Sequence, residues 1–123
     1  MTDRILIVDS EESLRRRYEV ELEEEGYDVV TAAGGHDALS KINDQLVDLV
    51  IVELQLSDGS GLEYLQQILD LKRDLKVVIN TDDPTYKMDF HSWAADAFVL
   101  KSGDLAELKE TIDALLHRKK LNR

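Results

Sequence analysis

The chain has 123 residues, 43% hydrophobic and 33% charged, with a formal net charge of −11. That is one globular domain, residues 1–123, large enough to bury a core, and it excludes a disordered chain. The acidity argues against phosphate-backbone binding; zero cysteines remove disulfides and thiolate metal sites, no apolar run nears the roughly 20 residues that span a bilayer, and no signal-peptide pattern opens the chain, so a cytoplasmic protein with no nucleic-acid or membrane partner is expected.

Ile5–Val8 reads as the first strand and leads into Asp9. Leu14, Tyr18 and Leu22 then recur at helical spacing. Ser10 is read as the N-cap of that first helix rather than as a metal ligand, with Glu11 and Glu12 favourably placed in its first turn and Gly26 as its stop. Val29–Ala32 is the second strand, and Ala38, Leu39 and Ile42 carry the second helix. The paired glycines of "AAGGHDAL" fit neither GxGxxG nor GxxxxGK[ST], so a nucleotide loop is unsupported.

Leu49–Val52 is the third strand. Leu62, Leu65 and Leu69 mark the third helix, before which Ser60 and Glu63 have capping-box spacing. Val77–Ile79 is the fourth strand. Asp83-Pro84 reads as N-cap and first residue of a fourth helix carried by Met88, Phe90, Trp93 and Ala94. Phe98–Leu100 is the fifth strand, and Leu105, Leu108, Ile112 and Leu115 give the fifth helix. The basic residues Arg118, Lys119, Lys120 and Arg123 complement the dipole at its end. His36, His91 and His117 show no metal spacing.

The result is (βα)5. Continuous aliphatic strands such as "LVIV" belong in a parallel sheet covered on both faces. Right-handed crossovers make it doubly wound, with strand order 2-1-3-4-5 as the expected small solution. Ligands of such sheets bind beyond the carboxyl ends of the strands, at the switch point between the first and third. Those ends carry Asp9, Glu53, Asn80-Thr81 and Lys101. Carboxylate oxygens suit a hard cation such as Mg2+, whereas Lys and Thr suit an oxyanion.

"ILIVDSEE", "DLVIVELQLSDGSGLEYL", "VVINTDD" and "AADAFVLKSGDLAEL" together resemble the successive signatures of the receiver domain of two-component response regulators, over essentially the whole chain. The resemblance implies a CheY-like, flavodoxin-like fold. It also implies a Mg2+ site built from acidic residues after the first and third strands, and a phosphoacceptor aspartate ending the third. By that resemblance Asp9 is an acidic metal ligand, Gln55 the residue whose carbonyl coordinates the metal, and Gly61 the glycine after the acceptor loop. Thr81 and Lys101 are the phosphoryl contacts, and Phe98 is the switch aromatic.

Several positions depart from the pattern. Ser10 replaces the second acidic ligand, which should weaken Mg2+ binding. Glu53 occupies the phosphoacceptor position with its carboxylate one methylene further out, and in-line transfer is sensitive to misplacement of about 1 Å. Asp82 follows Thr81, either as a substitute metal ligand or as an acidic loop residue. Ser57 and Ser102 replace usual prolines, and Ser102 makes a cis peptide after Lys101 cost about 3 kcal/mol. Glu53 either mimics the phosphorylated state by engaging Lys101 and Thr81 or has lost its chemistry.

The expectation is an atypical receiver that is not an enzyme and has no cofactor beyond weakly bound Mg2+. It acts as a phosphorylation-independent interaction module toward a histidine kinase, regulator or effector domain, through the fourth helix, fifth strand and fifth helix. The alternatives are a receiver still phosphorylated with weak Mg2+ binding, and a small flavodoxin-like cofactor binder.

Overall fold

Each of the five aliphatic runs forms a strand in the computed structural model, which describes residues 2–86 and 94–121. The strands of the main sheet are Arg4–Val8 (β1), Asp28–Ala32 (β2), Leu49–Val52 (β3), Lys76–Thr81 (β4) and Ala97–Leu100 (β5). Their order is β2-β1-β3-β4-β5, and every neighbouring pair is parallel. The expected doubly wound arrangement is therefore the observed one. A second, two-stranded ladder pairs Gln55–Leu56 with Gly59–Ser60, a hairpin that the aliphatic pattern does not signal.

Alternation along the strands divides the core into two layers. Leu6, Val8, Val50, Val52, Val77 and Ile79 face one side. There they meet Ala38 and Ile42 of α2 (Gly35–Asp44) and Leu65 and Ile68 of α3 (Gly61–Leu71). Ile5, Ile7, Leu49, Ile51, Val78 and Val99 face the other side. They pack on Tyr18 and Leu22 of α1 (Glu12–Glu24) and Leu108 and Ile112 of α4 (Ala106–Leu121). Both faces of the sheet are thus covered, which is why the strands need no polar side.

The helix boundaries follow the sequence less closely. Gly26 ends α1 as expected: its φ of +97 lets its N–H reach Glu23 O at 3.0 Å and the Tyr27 N–H reach Leu22 O at 3.2 Å. These are the paired bonds of a Schellman stop. Ser10, however, is not the N-cap of α1. That position is Glu11, with no side-chain cap bond, and the Ser10 hydroxyl is committed instead to Ala33 O and the Ser57 N–H. Ser60 does stand at the N-cap of α3, but its hydroxyl makes no capping bond.

Asp83 behaves as predicted for a cap. Its Oδ1 accepts the Thr85 N–H at 2.9 Å and the Thr85 hydroxyl at 2.7 Å, starting a 3-10 turn at Pro84–Tyr86. Of the expected fourth helix, Met88, Phe90 and Trp93 lie outside the described residues. Ala94 does not belong to a helix: its φ is +62, in the left-handed region that a right-handed helix excludes.

The register brings the functional end of the sheet level. Val8 lies opposite Ala32 and Val52, and Val52 lies opposite Ile79. The Asp9 N–H continues the ladder to Ala32 O, the Glu53 N–H to Val8 O, and the Lys101 N–H to Thr81 O. The residues after β1, β3 and β5 are consequently held by backbone pairing as well as by their side chains.

Gly61 closes this end, its N–H bonded to Leu54 O at 2.8 Å. A Cβ there would lie 2.0 Å from the Glu53 carbonyl oxygen, a backbone atom that cannot swing aside. Gly61→Ala is expected to destabilise the domain by at least about 1–3 kcal/mol, the usual cost of overpacking, read as a lower denaturation midpoint at unchanged m-value.

Candidate functional site

Lys101 reaches back from the end of β5 across the mouth of the sheet. Its ammonium donates to Asp9 Oδ2 at 2.9 Å and to Glu53 Oε1 at 2.6 Å. Asp9 and Glu53 are 4% and 6% exposed, and the Lys101 side chain 18%. At such depth unpaired charges would be strongly disfavoured. Burial by itself opposes the charge on Lys101, but the hydrogen bonds to Glu53 and Asp9 outweigh it and hold its pKa well above the ordinary lysine value. The lysine is a fixed cation.

The remaining carboxylate oxygens are engaged locally. Asp9 Oδ1 accepts the Glu11 N–H. Glu53 Oε2 turns back on its own loop and accepts the Leu54 N–H at 2.6 Å, with the Gln55 N–H further off at 3.3 Å. Arg15 of α1 donates to the Asp9 carbonyl at 2.7 Å and holds the β1–α1 turn from outside.

Of the residues singled out in the sequence, Asp9, Glu53 and Lys101 come into direct contact. Thr81 is buried beside them, but its Oγ1 accepts the Asp83 N–H at 3.5 Å, a long contact. Gln55 is drawn into the hairpin opposite Ser60, and Asp82 is exposed at the rim. Phe98 is buried in the α2–α3 layer of the core. The Lys101–Ser102 peptide is trans, and the lysine reaches both carboxylates without a proline behind it.

Ser10 turns away from this cluster. Its hydroxyl donates to Ala33 O at 2.9 Å and accepts the Ser57 N–H at 2.8 Å. As arranged, the donors do not fit Mg2+, which demands near-octahedral oxygen coordination. The two convergent carboxylates hold an ammonium, and the hydroxyl that replaces the second acidic ligand is committed elsewhere. Among the described residues no group of three or more His, Asp or Glu side chains is placed to hold a metal ion.

Two further residues, Tyr18 and Asp58, were not visible as site residues in the sequence. Tyr18, read only as a helix-face residue, lies below Lys101 and donates to Asn80 Oδ1 at 2.9 Å, while Asn80 Nδ2 donates to Val99 O at 2.9 Å. Burial raises the Tyr18 pKa, with opposing contributions from the charges of Lys101 and Asp9. Asp58, in the turn of "SDGSG", accepts the N–H groups of Gly35 and His36 at 3.0 and 3.1 Å, and these bonds hold its carboxyl below the usual range. Only the turn-forming composition of that stretch hinted that it was structured.

Lys101→Met strands two buried carboxylates and is expected to cost about 3 kcal/mol at neutral pH. In the unsubstituted protein the raised lysine pKa implies a contribution complete below its unfolded value of about 10.4, and lost as pH rises through the higher folded value. Chemical denaturation of both proteins at pH 7, and of the unsubstituted protein from pH 9 to 11, checks both statements: stability of the unsubstituted protein should begin to fall above about pH 10.4.

Comparison with known proteins agrees with this fold. Residues 5–113 match the family described as the response regulator receiver domain. The response regulator ArlR of Staphylococcus aureus is 36% identical over 115 residues, 93% of this chain and 52% of ArlR. The chain therefore spans about half the length of that relative. TrrA of Thermotoga maritima, a response regulator solved in complex with Mg2+-BeF, is 42% identical with a TM-score of 0.87, over 94% of this chain and 100% of that one. TrrA has also been solved in complex with the histidine kinase ThkA (TM-score 0.85, over 94% and 99% of the two chains). A CheY-like receiver domain from Methanospirillum hungatei is 27% identical with a TM-score of 0.90, over 100% of both chains. These matches displace the flavodoxin-like cofactor binder: the chain belongs to the response regulator receiver-domain family of two-component signalling.

Proposed function

We propose that this receiver domain is a phosphorylation-independent interaction module. One observation carries the reading: both oxygens of the carboxylate at the phosphoacceptor position are already engaged. Lys101 holds one and the Leu54 N–H the other, in a residue 6% exposed. Phosphoryl transfer depends on a nucleophile presented in line and on cations that offset the charge of the transferring group. Among the described residues, the single cation in contact is bound to Glu53 itself. The domain is not an enzyme in this reading, and its place is the cytoplasm; no helix among the described residues is long and apolar enough to cross a membrane.

Mg2+ binding is weak in the same reading, because the ion must displace Lys101 from two carboxylates and finds no acidic ligand at Ser10. Mimicry of the phosphorylated state is only half built. Glu53 engages Lys101, while the Thr81 hydroxyl meets the Asp83 N–H. One observation favours the alternative of a phosphorylated receiver: TrrA, 42% identical, binds Mg2+-BeF. Incubation with acetyl phosphate and Mg2+, followed by intact-mass measurement, separates the two. No phosphoryl mass gain is expected, and a base-labile gain mapping to Glu53 overturns the reading.

The partner is a histidine kinase, regulator or effector domain, as TrrA with ThkA illustrates for a relative. The proposed contact face runs over β5 and α4, together with the segment before β5. Leu100 at the end of β5 is 37% exposed, and Glu107 and Glu110 are exposed along α4. Charge reversal at Glu107 and Glu110 is expected to weaken binding of an identified partner about tenfold or more, measured by calorimetry. Unchanged affinity places the contact on another face.

A further inference from the structure

Three loops surround the carboxylate pair: β1–α1 with Ser10, β2–α2 with Ala33 to Gly35, and β3–α3 with the Gln55–Ser60 hairpin. In a family whose members include a Mg2+ complex, a divalent cation would join the first and third through shared ligands. In this chain they are joined by a hydroxyl. Ser10 Oγ donates to Ala33 O at 2.9 Å, accepts the Ser57 N–H at 2.8 Å, and lies 3.1 Å from Ser57 Oγ. One side chain thereby ties all three loops.

A second tie lies beside the first. Asp58, at the tip of the hairpin, accepts the N–H groups of Gly35 and His36, and the Tyr64 hydroxyl donates to the Asp58 carbonyl at 3.1 Å. The fit is close on the β2–α2 side. A Cβ on Gly34 would lie 2.7 Å from the Asp58 carboxylate, and one on Gly35 would lie 1.9 Å from the Tyr64 ring. The paired glycines, unexplained by any nucleotide-loop pattern, let the hairpin lie directly against the start of α2.

The residue type at position 10 follows from the bonds. A hydroxyl donates and accepts at once, whereas an ionised carboxylate only accepts. An aspartate there could take the Ser57 N–H but would face the Ala33 carbonyl with no proton to give. We propose that Ser10 is a positioning residue, a cross-loop tether that keeps the hairpin, and with it the Glu53 backbone, in one arrangement whether or not a divalent cation is present. This deepens the phosphorylation-independent reading and rests on it for its purpose. Lys101 supplies half the positive charge that a divalent cation would bring, and Ser10 supplies the cross-link.

Residue-resolved amide exchange on the full chain, in EDTA and in Mg2+, tests the tether. In the unsubstituted protein the Ser57, Gly35 and His36 amides should be equally protected in both conditions. Ser10→Ala should speed Ser57 exchange about tenfold, equivalent to about 1.4 kcal/mol, while the Ile51 amide in the core stays unchanged. Ser10→Thr, which keeps the hydroxyl, should restore protection. Ser10→Asp should exchange fast in EDTA and slow down on adding Mg2+, turning a metal-independent loop into a metal-dependent one. Protection of the unsubstituted loop that appears only with Mg2+, or unchanged Ser57 exchange in Ser10→Ala, overturns the proposal. The unsubstituted comparison needs no variant and decides even where a substitution disturbs folding. Phosphoryl labelling of Glu53 would instead sink the functional reading and leave the exchange pattern standing.

Discussion

The ammonium of Lys101, shared between Asp9 and Glu53, is the interaction on which this end of the molecule depends. Parallel pairing places the ends of β1 and β3 side by side, so two carboxylates are forced together in a protein that is already strongly acidic. Left alone, they would repel each other and lose their solvation together. The lysine comes from β5, an edge strand that pairs only with β4 among the described residues. A buried ion pair is seldom worth more than well-packed apolar groups, but removing one partner is costly. The pair therefore acts chiefly as a constraint: it fixes where the end of β5 lies relative to β1 and β3.

That constraint is backed from below. Tyr18, Asn80 and the Val99 carbonyl form a buried chain of hydrogen bonds from α1 through β4 to β5. A fully satisfied polar network in a low-dielectric core specifies one arrangement more sharply than apolar packing does, because each broken link leaves a buried polar atom unpaired. Movement of Lys101 away from the carboxylates would have to be accommodated against β5, whose neighbour Val99 is tied to Asn80. The charged cluster and the polar chain thus support a single geometry at the mouth of the sheet.

Much of this was legible in the residues. The five aliphatic runs located the strands, and their continuity implied a sheet covered on both faces; the residues just beyond them identified the converging side chains. Ser10 was misread for a physical reason. A serine after a strand and before two glutamates satisfies every local criterion for a helix cap, whereas its partners Ala33 and Ser57 lie 23 and 47 residues away. The same holds for Asp58, whose bonds to Gly35 and His36 span 23 and 22 residues. Local spacing carries information about turns and helix ends, but polar contacts between loops are set by the register of the sheet beneath them. Glu53 falls between the two cases: its position was evident, but the turn of Oε2 back to the Leu54 N–H depends on the backbone path that Gly61 permits.

The charge state of the mouth connects this geometry to the proposed output. Two carboxylates and one ammonium leave a single net negative charge at the point of contact. A phosphoryl group would bring about −1.5 to −2 more, with exposed Asp82 at the rim adding to the repulsion. Here the lysine is committed to both carboxylates, and the loop cross-link is a neutral hydroxyl whose bonds do not depend on the charge of the site. The cheapest condition for such a site is to keep the charge it has. In the proposed reading the domain presents one surface continuously, and its signalling is governed by how much of it is present and by what else competes for that surface, rather than by chemistry at position 53.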